Sequence, residues 1–76
     1  MNNEQLIQYL IDHKIKVRAL NSNGLIVKGI ITDSTNMSVC IEYTEGSSWV
    51  WLTNVKEILW PSELQKALYS SVNPFS

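Results

Sequence analysis

Between residues 3 and 13 the apolar positions Leu6, Ile7, Leu10 and Ile11 recur at helical spacing, with Glu4, Gln5, Gln8 and Asp12 on the other side. The pattern predicts an amphipathic helix of about three turns that lies on an apolar surface. Asn2 or Asn3 is placed to cap its start, and Glu4 sits near the positive end of the helix dipole. From Ile15 the period falls to two: Ile15, Val17 and Ala19 share one side, Lys16 and Arg18 the other. Asn21-Ser22-Asn23-Gly24 then predicts a hairpin turn, Asn-Gly being a strong signal because both residues tolerate positive φ.

A second strand is expected over residues 25–32, with Gly29 in its middle as the point where a strand bulges or bends. Asp33-Ser34-Thr35-Asn36 reads as a turn, and residues 38–43 alternate Val39, Ile41 and Tyr43 against Cys40 and Glu42. Thr44-Glu45-Gly46-Ser47 is a further turn into Trp49-Val50-Trp51-Leu52. Thr53-Asn54 leaves almost no loop before a last strand over residues 55–60, which Pro61 ends because it lacks an amide donor. Ser62-Glu63-Leu64 is placed to open a short helix reaching about Tyr69, and residues 70–76 read as a mobile tail.

One helix and five short strands on 76 residues bury a core only if the sheet curls on itself, and a mid-strand glycine permits that. The expected class is mainly β: an N-terminal α-helix followed by a strongly bent, five-stranded antiparallel sheet curled into a small SH3-like or OB-like barrel over residues 1–61, with a C-terminal extension over 62–76. A flat sheet carrying two helices on one face is the competing architecture. An apolar fraction of 45% supports a core, yet so short a chain buries proportionally little surface, for which oligomerisation is a natural remedy. The longest apolar runs span a few residues and the chain opens Met1-Asn2-Asn3-Glu4, so neither membrane span nor leader is expected and a cytoplasmic location is the default.

Chemistry is sparse. Cys40 is the single cysteine, read as a small apolar strand residue, and His13 is read as a helix-terminal residue. No Ser-His-Asp set, metal-ligand spacing or phosphate-cradling loop is present, so neither enzyme activity, metal nor cofactor is expected. Six basic against seven acidic residues disfavour a generic nucleic-acid binder, although Lys14, Lys16, Arg18 and Lys28 concentrate positive charge early in the chain. Trp49 and Trp51 share one strand face opposite Val50 and Leu52. Alternation does not say which face is inward: either the indoles form the core, or they lie outside it and need a base or another subunit to cover them.

The order of amphipathic helix, Val17-x-x-Leu20, Asn23-Gly24, Gly29 five residues on, a hydrophobic strand at residues 37–41 and a closing strand before Pro61 resembles the bacterial Sm-like proteins of the Hfq type. The resemblance spans about residues 3–61. It implies a homo-oligomeric ring, commonly a hexamer, in which the fourth strand of one copy pairs with the fifth of the next, with Trp49, Trp51, Val55, Ile58 and Trp60 at the interface. It also implies RNA or nucleotide binding at subunit boundaries. On the family pattern Asn3 replaces a base-binding helix glutamine and Met37 a stacking aromatic. Trp51-Leu52-Thr53 stands where the family carries an aromatic, a lysine and a histidine. A base pocket of Asn36, Met37 and Trp51, with Asn3 and Thr53 nearby and Lys14, Lys16, Arg18 and Lys28 on phosphates, is the expected site, weakened by the missing cations. Two other readings remain: a ring binding a free nucleotide-like molecule, and a protein-interaction module using the tryptophans and Val72-Asn73-Pro74-Phe75.

Overall fold

The computed structural model describes residues 2–61 and Phe75. A helix, α1 (Asn3–Asp12), precedes five strands, β1 (Lys16–Leu20), β2 (Ile26–Ser34), β3 (Ser38–Tyr43), β4 (Gly46–Trp51) and β5 (Val55–Ile58), with a 3-10 turn at Leu52–Asn54 between the last two. The helix begins with a capping box. The Asn2 side chain accepts from the Gln5 amide at 2.9 Å and Gln5 Oε1 accepts from the Asn2 amide at 3.0 Å.

The helix ends in a full Schellman motif. Ile15 N–H donates to the Leu10 carbonyl (3.1 Å) and Lys14 N–H to that of Ile11 (3.2 Å), with Lys14 at φ 51° where glycine is usual. The apolar contact that accompanies such a cap is supplied by Leu10 and Ile15, both buried in one core cluster. His13 is the C-cap residue, its ring stacked on Tyr9 at 4.0 Å, which agrees with its reading as helix-terminal.

All strand pairings are antiparallel, in the order β4-β3-β2-β1-β5. The expected helix followed by five antiparallel strands is therefore present, but the sheet is open. Among the described residues β4 and β5 are two free edges that do not pair with each other, so the expected barrel is not closed. At Gly29 a Cβ would run into the backbone carbonyl of Glu42, its carbon lying 2.8 Å away. Only glycine admits that approach of β2 to β3. The bulge lies elsewhere: Ile31 opposes Ile41 while Asp33 opposes Cys40, which leaves Thr32 as the extra residue.

Three local expectations are corrected. Asp33 and Ser34 belong to β2, and the turn is built by Thr35, whose side chain meets Ser38 Oγ at 2.7 Å and accepts from the Ser38 amide at 3.1 Å. Gly46 and Ser47 belong to β4. In the first hairpin only Gly24 has positive φ (77°), because Asn21 Oδ1 accepts from the amides of Asn23 and Leu25 and holds the loop without a left-handed asparagine.

The inner face of the sheet carries Val17, Ala19, Val27, Ile31, Val39, Ile41, Val50, Val55 and Ile58, and α1 adds Ile7 and Leu10. The expected C-terminal helix and most of the expected tail lie outside the described residues. Phe75 is described and is buried in the core cluster.

Candidate binding cleft and sheet edge

The start of α1 and the turn between β2 and β3 flank an open cleft of about 750 Å³. Asn2, Asn3, Glu4 and Gln8 line one wall, Ser34, Thr35 and Asn36 the other, and Ile7 and Leu52 supply the apolar lining. Several of these polar groups are engaged: Asn2 in the capping box, Thr35 in its turn, and Gln8 Nε2 in a 2.8 Å bond to Asp12. The side chains of Asn3 and Asn36 make no hydrogen bond among the described residues, so each presents an amide with both donor and acceptor capacity. Among the described residues Glu4 is the one charged residue in the lining. An apolar floor between neutral amides suits a flat, uncharged, hydrogen-bonding ring far better than a phosphate.

The sequence-predicted residues separate into three places. Asn3 and Asn36 meet in the cleft; Met37, Trp51 and Thr53 do not line it. The reason for Trp51 is parity: Val50 and Leu52 are buried, so Trp49 (51% exposed) and Trp51 (58% exposed) leave by the outer face. Met37 and Thr53 are exposed nearby, the Met37 carbonyl accepting from the Leu52 amide at 2.8 Å. The open question of which face is inward is thereby answered, with the indoles outside.

Among the described residues the cations form no rim around the cleft. Lys14 follows the far end of a ten-residue helix, a run of about 15 Å. Lys16 and Arg18 lie on β1 and Lys28 on β2, directly opposite Arg18 in register. Arg18 is already paired, its guanidinium donating to Glu57 Oε1 at 2.6 Å. Glu4, Gln8, Ser34 and Leu52 are cleft residues that sequence reasoning did not single out. Glu4 and Gln8 carried a signal, since both lie four apart on the polar side of the helix.

The interface residues also divide. Val55 and Ile58 are buried in the core of their own chain, so β5 presents outward its backbone and the side chains of Lys56 and Glu57. Trp60 is half-buried, its ring 6.1 Å from that of Tyr9. Trp49 and Trp51 remain available. Their strand also offers its backbone, and the hairpin sets the phase. Tyr43 and Gly46 are partners across a two-residue turn, and Leu52 N–H reaches the Met37 carbonyl. With alternate residues bonded to β3, the amides and carbonyls of Ser47, Trp49 and Trp51 point away from the sheet.

Cys40 is half-exposed on β3, opposite Trp49 and Asp33 in register. Among the described residues no three His, Cys, Asp or Glu side chains gather as a metal set, and no helix is long and apolar enough to cross a membrane. Comparison of the chain with protein-family models, curated proteins and solved structures gave no significant match.

Proposed function

We propose that the chain is a non-catalytic, Sm-like subunit that assembles head to tail into a ring and binds bases of RNA, or single nucleotides, beside the subunit boundaries. The observation that carries this reading is that, among the described residues, the two free edges of the sheet are β4 and β5, the strands that the sequence resemblance pairs between copies. Pairing them satisfies outward backbone groups that a small open sheet otherwise leaves as an aggregation hazard. The cleft supplies the ligand chemistry: Asn3 and Asn36 address a base edge while Ile7 and Leu52 contact its face.

Among the described residues no cation lines the cleft, and this sets the expected binding mode. Phosphate attraction contributes little there, so affinity arises from base contacts repeated around the assembly, and its salt dependence is shallow. Gel shifts with short uridine-rich and adenine-rich RNAs, together with thermal shifts in single nucleotides, test this. The reading expects a shift with at least one, largely retained when salt is raised. Absence of any shift at low salt contradicts ligand binding, and a steep loss with salt contradicts the cleft as its seat.

A second reading, a protein-interaction module, is favoured by two exposed indoles on an uncharged strand, since large aromatics are common anchors at interfaces. A protein captured through Trp49 and Trp51 by an assembly that binds no RNA or nucleotide identifies it.

A further inference from the structure

We infer that Lys56 of one copy lies against Trp49 or Trp51 of the next, a cation-to-indole contact that fixes head-to-tail order at the sheet edge. This rests on the edge-to-edge assembly proposed above and adds the residue pair that selects it.

The two edges are unlike. β4 runs Gly-Ser-Ser-Trp-Val-Trp, without charge or proline, in unbroken register with β3. Such an edge accepts an added strand readily. β5 has four residues and a register shift: Arg18 opposes Glu57 while Ala19 opposes Val55, leaving Lys56 as the extra residue. Because Val55 and Ile58 both face the core, the bulge turns Lys56 and Glu57 together to the outer face. Glu57 is engaged by Arg18, and Lys56 makes no ion pair among the described residues.

Two β5 edges brought together place bulge on bulge and Lys56 near its own copy, so β5 is poorly suited to pair with itself. β4 offers what Lys56 lacks. Trp49 and Trp51 stand on the same outer face that Lys56 occupies, and the carboxylates of Glu42 and Asp33 occupy the exposed outer face of the neighbouring strands. Each strand contributes one half of a complementary contact, and two different halves make a heterologous, head-to-tail interface. A lysine over an indole contributes most where the pairing strands shield it from water.

The test is a double-mutant cycle read as the protein concentration at which half the chains are assembled, followed by light scattering. Lys56→Gln is expected to raise that concentration roughly three- to thirty-fold, and Lys56→Arg to leave it near the parent value. In a background of Trp49→Leu or Trp51→Leu, whichever supplies the ring, Lys56→Gln should have no further effect. If the parent assembles and Lys56→Gln assembles equally well, the contact is refuted while the proposed assembly stands. A lysine effect of full size in both leucine backgrounds also refutes the contact. A parent that stays monomeric at every concentration overturns the assembly and the contact together.

Discussion

β4 and β5 are the two edges of one sheet, yet they divide the work of the molecule differently. β5 uses two of its four residues, Val55 and Ile58, to close the core, and a bulge with Lys56 and Glu57 covers its outer side. β4 buries only Val50 and displays two tryptophans on a regular, uncharged strand. An edge that must not pair with itself is short, bulged and charged; an edge that receives a partner is longer, flat and aromatic. The contrast places fold stability chiefly in what faces inward on β5, and the proposed assembly would draw on what faces outward on β4.

The contrast fails most completely if β2 and β3 lose their close approach. Gly29 lies on β2, between the half bearing β1 and β5 and the half bearing β3 and β4, and its place against Glu42 leaves no room for a methyl group. Gly29→Ala is expected to destabilise by about 3 kcal/mol or more, seen as a lower urea midpoint or as failure to fold. Next in size is Ile58→Ala, which empties a core site on β5 and is expected to cost about 2 to 4 kcal/mol in the same denaturation. Its counterpart Trp51→Ser on β4 should change the stability of the isolated subunit by about 0.5 kcal/mol or less while weakening assembly.

Smaller effects serve as controls away from the β4 edge. Lys14→Gly relieves a left-handed residue at the helix end and is expected to stabilise by about 0.5 to 1 kcal/mol, raising the melting temperature without altering mass. Arg18→Gln removes an exposed ion pair and is expected to cost no more than about 0.5 kcal/mol, an effect that salt diminishes.

Much of the fold was legible in the residues. The spacing of Leu6, Ile7, Leu10 and Ile11 identified the helix, and alternation placed β3 at its observed bounds. Gly29 marked a close approach of β2 to β3, although the bulge fell three residues later. What misled was local composition overridden by pairing. Asp33 and Ser34 are turn formers, yet cross-strand partners in Cys40 and Val39 hold them in β2. Lys14 gave no sign of a helix stop because the usual glycine is absent, and the motif is held by backbone bonds and the burial of Leu10 and Ile15.

The site was less legible than the fold. Asn3 and Asn36 were named through a resemblance and do share a cleft, but Gln8, Ser34 and Leu52 reach it only through the three-dimensional meeting of helix start and turn. The basic residues looked like one group along the chain. In space they divide, because a helix separates Lys14 from the cleft and Glu57 engages Arg18. The tryptophan faces were undecidable from period alone, since Val50 and Leu52 are as apolar as their neighbours.

The central claim, that β4 is an edge made for another copy, is tested most directly by solution mass from light scattering over a range of concentrations, on the parent chain and on Ser47→Pro. The proline removes an outward amide from β4 while leaving the β3 side of the strand intact. The account predicts a discrete multiple of 8.7 kDa for the parent and a folded particle of 8.7 kDa for Ser47→Pro. A parent of 8.7 kDa at every concentration, or a Ser47→Pro variant with the parent's assembled mass, contradicts it.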